Sequence, residues 1–287
     1  YPVNYKNKDS FRPFPVKFQW QKNLWFELFE KHVDFIVQDI ERARAEDRLI
    51  IYLSCPISSR NGSHSRTNVE IAIHAAERLK EKMGSRFWIL NPVLYQMHSK
   101  EGTGLIKRHA EFLSLEKKLE KKIDVEELSR EFPVQGGDYM RMWARVLVED
   151  GNKNLGGRFD AFYFVGPNDV WDFFMQGGAQ TVTDGVEEYF SRKIALDPDF
   201  LAYFSEENGP KNPQWKKKRD EFFRFYSLCA STTFSKGSHD EYLIWVTLNK
   251  LRVKEFGIGH QIPGYFDGRQ FELPTYGQES FRGYAID

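Results

Sequence analysis

Apolar positions first fall into a helical rhythm over residues 22–46, where Trp25, Leu28, Phe29, His32, Phe35, Ile36 and Ile40 recur at spacings of three and four. Leu49–Ser54 follows as a short β-branched run of strand type. The helical rhythm returns over residues 68–83, with Val69, Ala72, Ile73, Ala76 and Leu79 on one face. Thr67 and Glu70 have the spacing of a capping box and predict where that helix starts. Residues 87–93 form a second strand-like run, ended by Asn91-Pro92. Strand, loop, helix, strand is a βαβ unit, which predicts a parallel sheet with a right-handed crossover.

Further along, the charged stretch 105–131 predicts helices, either an inserted hairpin over a site or a partner surface. A helix is expected from Asp138 through Met140, Trp143, Ala144 and Leu147, then a third strand, FDAFYFV, at 159–165. Thr183-Asp184-Gly185 precedes a helix with Val186, Tyr189, Phe190 and Ile194 on one face. Two more helices are predicted at 213–230 and 239–255. Residues 1–20, rich in proline and aromatics, read as an extended arm, and the tail after Gly257 carries Gly, Pro and aromatics without a clear period. No linker or internal repeat divides the chain. The expectation is one α/β domain with extra helices and terminal arms, organised as an arm and helix (1–47), an α/β body (48–195) and carboxyl-terminal helices and tail packed on the same domain (196–287).

Composition narrows the classes. Lys+Arg and Asp+Glu balance at 41 each, so no global charge points to a nucleic-acid polymer or an anionic membrane. No apolar run approaches the ~20 residues that a membrane-spanning helix needs. Cys55 and Cys229 form neither a disulfide framework nor a paired metal motif. A reducing, cytoplasmic compartment is therefore the expectation. The chain opens on Tyr1, from which a processed or trimmed amino terminus is expected, and secretion stays open.

Chemistry concentrates in loops. Ligands of open parallel sheets sit beyond the carboxyl ends of the strands. The loop after the first strand reads CPISSRNGSHSRTN: Arg60 and Arg66 can clamp an anion, and its hydroxyls can serve sugar oxygens. The alternative is an ordinary polar connection, since neither GxxxxGK[ST] nor GxGxxG occurs. His64 is the loop histidine with a functional reading. Asp138 follows Gly136-Gly137, and Glu187 and Glu188 follow Asp184-Gly185; each has a simpler role at a helix start. As a set beside an anion or sugar loop, these carboxylates suit N-glycosidic cleavage, where one meets the developing sugar cation and another assists the leaving base.

The order YLSCPISS, NPV, GGDY, FDAFYFVGP, DGVEE resembles the nucleoside 2-deoxyribosyltransferase-like superfamily across residues 48–195. YLSCPI matches the family's first-strand ending, with Cys55 where Gly or Ala is usual; Asp138 matches its helix-opening Asp. DGVEE matches its nucleophilic Glu loosely, because Tyr189 and Phe190 stand where small residues are expected, so Glu187 and Glu188 both remain candidates. The chain is about twice the minimal family domain. The resemblance implies a Rossmann-like (flavodoxin-like) parallel sheet flanked by helices. It also implies an N-ribosyl or deoxyribosyl hydrolase or transferase acting through a carboxylate nucleophile, with neither cofactor nor metal. Implied substrate contacts come from Tyr52, Cys55, Pro56, Ser58, Ser59, Arg60, Asn61, Gly62, Ser63, Arg66 and Asn68. Two arginines favour a phosphorylated substrate; Tyr52, Phe164 or Trp171 can stack on its base. The expected partner is a small nucleotide or nucleoside, and a homo-oligomer is compatible. An NAD(P)-cleaving glycohydrolase and a non-catalytic nucleotide-binding or interaction module stay as alternatives.

Overall fold

A computed structural model describes residues 2–4, 17–21, 25–57, 62–97, 100–116, 133–149, 155–205, 213–229, 236–273 and 285–286. The amino-terminal arm forms strands: Pro2–Asn4 (β1) pairs antiparallel with Lys17–Gln21 (β2), which pairs antiparallel with Ala285–Ile286 (β8). The body is a five-stranded sheet. Leu49–Ser54 (β3) lies between Phe87–Leu90 (β4) and Ala161–Phe164 (β5), parallel to both. These are the three strands that the apolar runs predict, with the second and third a few residues shorter. Asn91 ends β4 by accepting from the Val93 amide and turning the chain into a 3₁₀ turn, Pro92–Tyr95.

The tail holds what the sequence pattern left unassigned. Gly264–Phe266 (β6) adds parallel to β5, and Arg269–Phe271 (β7) closes the edge antiparallel, giving the order β4-β3-β5-β6-β7. Three-residue strands are too short to show a period of two. An ideal Cβ on Gly264 would lie 2.6 Å from a Trp245 ring atom, so only glycine lets β6 approach that ring.

Alternation along the strands sorts side chains into two cores. Ile50, Tyr52, Phe162 and Phe164 face one side, with Phe26–Ala45 (α1), Gly136–Val148 (α4) and Lys236–Phe256 (α9). Ile106 of Lys100–Glu116 (α3) joins this core. Ile51, Leu53, Ala161 and Tyr163 face the other side, with Ser65–Met83 (α2), Pro167–Met175 (α5), Val182–Leu196 (α6), Pro198–Ser205 (α7) and Pro213–Arg224 (α8). The result is an α/β domain with a mostly parallel sheet covered on both faces. In α9, residues 243–249 are all buried, which is why it shows no amphipathic stripe. Asn249 is satisfied inside the core: it accepts from the Ile262 amide at 2.6 Å and donates to the Ile262 carbonyl at 3.0 Å.

Several helices start a few residues from the sequence reading, and at α2 and α6 the capping differs as well. α2 begins at Ser65, and its cap is His64, whose Nδ1 accepts from the Thr67 amide at 3.3 Å. The Thr67 hydroxyl is engaged with Tyr189 (3.1 Å) and Glu70 with Lys193, so the expected Thr67–Glu70 box does not form. α6 begins at Val182, capped by Thr181, whose Oγ1 accepts from the Asp184 amide at 3.2 Å. Glu187 and Glu188 therefore stand one turn inside the helix, and the first-turn acid is Asp184. Within 105–131, residues 117–131 lie outside the described residues.

Candidate active site

A helix that returns the chain to a parallel strand runs antiparallel to it, so its amino terminus lies at the carboxyl edge of the sheet. α4 leads to β5 and α9 leads to β6, both on the same face, and the two helices pack against each other. Their first turns therefore both lie at the carboxyl edge of the sheet. At that place the chain order of the strands reverses direction, β4 lying on one side of β3 and β5 on the other. Such a switch point is where open α/β sheets bind ligands.

Glu241, in the second turn of α9, is held over the end of β3. Its Oε1 accepts from the Tyr52 hydroxyl at 2.8 Å, and its Oε2 accepts from the Ser54 hydroxyl. Glu241, Tyr52 and Ser54 are all buried. Burial, helped by the adjacent Asp240 charge, raises the Glu241 carboxyl to about 7 against the opposing pull of the Ser54 and Tyr52 hydrogen bonds. A carboxylate of near-neutral pKa, fixed by two neutral donors, is suited to proton transfer and to nucleophilic attack. Tyr52 is held in turn by the rings of Trp143 (5.6 Å), Phe159 (5.7 Å) and Phe162 (5.5 Å), so its hydroxyl is a rigid donor.

Asp138 is the third residue of α4, and its carboxylate accepts from the Gln135 amide at 2.9 Å. It shares the face and the sheet edge of Glu241. Glu187 and Glu188 do not: α6 packs on the opposite face. Glu187 is 59% exposed and lies 3.6 Å from Arg219 of α8. Glu188 lines a separate cleft of about 520 Å³ between α2, α5 and α6, together with Glu70, Phe173, Tyr189 and Arg192.

The polar loop after β3 is partly consumed by structure. Cys55 is buried beside Glu241, and burial lifts its thiol well above the ordinary range. Pro56 follows it, half-buried, beyond the end of β3. Gly62 has a φ of +93° and packs so tightly on α8 that an added Cβ would lie 2.4 Å from the Glu221 carbonyl oxygen. Ser63, His64 and Asn68 are buried; the Tyr226 hydroxyl accepts from the His64 amide at 3.0 Å and donates to Asn68 Oδ1 at 2.7 Å. His64 sits among Phe200, Tyr203 and Phe204, and its pKa falls to about 4, chiefly through burial and then through the Arg66 charge. Arg66 is paired with Asp199 at 2.8 Å and lies 3.8 Å from Asp197. Ser58, Ser59, Arg60 and Asn61 lie outside the described residues. Phe164 is buried and Trp171 is exposed on α5.

Sequence reasoning passed over Glu241 and Ser54. Gly237-Ser238-His239-Asp240-Glu241 has a small-residue turn followed by a carboxylate at a helix start, a signal that was present, but it lies outside the stretch that carries the family resemblance. Among the described residues, no group of three or more His, Cys, Asp or Glu is disposed to hold a metal, and no helix is long and apolar enough to cross a membrane. No family model matches this chain, and no curated protein or solved structure matches it.

Proposed function

We propose that this protein cleaves the N-glycosidic bond of a nucleotide or nucleoside, with Glu241 as the nucleophile. The observation that carries the reading is the Glu241 carboxylate held by Tyr52 and Ser54 over the switch point of the sheet. The strand order favours a Rossmann-like, flavodoxin-like arrangement, in which that crevice receives the ligand. Glu241 stands in the second turn of its helix, as Glu187 and Glu188 do in theirs, but it alone of the three lies on the face of the sheet that covers the switch point.

In the first step a Glu241 oxygen forms a bond to the anomeric carbon as the C–N bond breaks. The bond's electron pair leaves with the base, which takes up a proton. Positive charge develops on the sugar ring and the carboxylate opposes it, so charge stabilisation and covalent catalysis act through one group. In the second step water adds at the same carbon, releasing the sugar and a proton and restoring the carboxylate; attack by a second base in place of water gives transfer. In this reading Asp138, at the start of a helix on the same face, orients the leaving base. Recognition of a substrate phosphate falls to Arg60 or Arg66, the latter paired with Asp199 at the surface.

The test is a chromatographic screen for free base released from a panel of nucleosides, nucleotides and NAD. Base release by the wild-type protein that falls by several orders of magnitude in Glu241→Gln is the expected result. Nucleotide binding without release, or release that survives the substitution, overturns it; the first outcome describes a nucleotide-binding module.

A further inference from the structure

Glu241 is gripped from one strand at two points. Tyr52 and Ser54 are two residues apart on β3, so both side chains leave the same face, and each supplies a hydroxyl to a different oxygen of the same carboxylate. The tyrosine reaches from inside the aromatic core. The serine donates from the last residue of the strand, whose backbone is fixed by the Val165 amide donating to its carbonyl at 3.0 Å. One donor alone leaves a carboxylate free to rotate about its terminal bond; two donors on separate oxygens fix its plane.

We infer that Ser54 is a positioning residue for Glu241: its hydroxyl, acting with that of Tyr52, fixes the rotation of the carboxylate at the end of β3 and holds it in the ionised form that attack requires. The titratable groups that face Glu241 are Tyr52 and Cys55 from β3 and Asp240 from its own helix. Burial and Asp240 favour the protonated acid, and the two hydroxyl donors oppose them. Removing the Ser54 donor therefore shifts the balance toward the inactive acid, while removing bulk does not.

This inference rests on Glu241 being the nucleophile, and its test separates the two claims. The protonation of Glu241 is followed in the full chain by carboxyl-carbon NMR of protein labelled at glutamate, with Glu241→Gln identifying the resonance. The variants are Ser54→Ala and Ser54→Thr, the second restoring the hydroxyl. In Ser54→Ala the midpoint moves to higher pH, the proton being held about tenfold or more tightly once a hydrogen bond to the charged form is lost. Ser54→Thr returns it toward the wild-type value. The acidic limb of the base-release profile moves with the midpoint in Ser54→Ala and returns in Ser54→Thr; a merely structural loss would lower the rate equally at every pH and leave the limb where it is. A Ser54→Ala midpoint equal to that of the wild type overturns the inference. If the wild-type protein releases no base from any nucleotide, the proposed function fails, and the titration still decides whether Ser54 holds the carboxylate.

Discussion

Replacing Glu241 by glutamine should stabilise the protein, and do so more as the pH rises. In the folded chain the Glu241 carboxyl keeps its proton up to about 7, against an ordinary value of 4.5. Between those values the folded state binds more protons than the unfolded state, so this group's contribution is fully present below 4.5 and is lost as the pH rises through about 7. At ~1.4 kcal/mol per pH unit the interval amounts to about 3 kcal/mol. His64 works in the opposite sense: its pKa falls from 6.5 to about 4, so its contribution is present above 6.5 and lost as the pH drops toward 4. The two windows overlap, and the wild-type stability curve alone cannot separate them. Comparing wild type with Glu241→Gln cancels the His64 part. The assay is the melting temperature of both proteins from pH 5 to pH 8 at constant ionic strength. The difference should be small at pH 5, where the wild-type side chain is a neutral acid. It should grow in favour of the variant to several degrees at pH 8, at roughly 2 °C per kcal/mol for a chain of this size. A difference that stays constant, or shrinks as the pH rises, would refute the claim that folding forces this carboxylate into a site that disfavours its charge.

Gly62→Ala should lower stability by about 1–3 kcal/mol or more, because its positive φ is combined with a 2.4 Å approach to the Glu221 carbonyl. Gly178→Ala, with positive φ but nothing within 4 Å, should cost less in the same melting experiment. Phe162→Ala should cost about 3–5 kcal/mol in chemical denaturation, since the ring is fully buried, and should also slow base release by loosening Tyr52. Glu187→Gln and Glu188→Gln should leave base release unchanged and stability within about 0.5 kcal/mol, as expected for exposed positions on the far face.

The central three strands and the longer helices were legible from their apolar runs and faces, whereas Pro167–Met175 (α5) and Pro198–Ser205 (α7), of nine and eight residues, went unpredicted because they are too short to show a helical rhythm. The first strand owes its legibility to the β-branched run 49–54, and α2 to its apolar face. What else failed to show were features set by contacts distant in the chain. β6 and β7 are three residues each and exist because the edge of β5 and the rings of Trp245 and Phe271 receive them. His64 became the cap of α2 because Tyr189 and Lys193, more than a hundred residues away, occupy Thr67 and Glu70. The site was half legible. Tyr52 and Asp138 were singled out by local pattern, yet the partner of Tyr52 lies 189 residues further on, beyond the reach of any local spacing. The DGVEE stretch drew the nucleophile assignment because two glutamates follow a glycine, but its helix packs on the face opposite to α4 and α9.

The most direct test of Glu241 as the nucleophile is to trap the covalent intermediate. The protein is mixed with a nucleotide from which it releases base, quenched in acid within a turnover, and its peptides are weighed by mass spectrometry. The account predicts the mass of the sugar, with its phosphate where present, added to the peptide that carries Glu241, and none in Glu241→Gln. A sugar adduct on Asp138, Glu187 or Glu188 with Glu241 unmodified would contradict it.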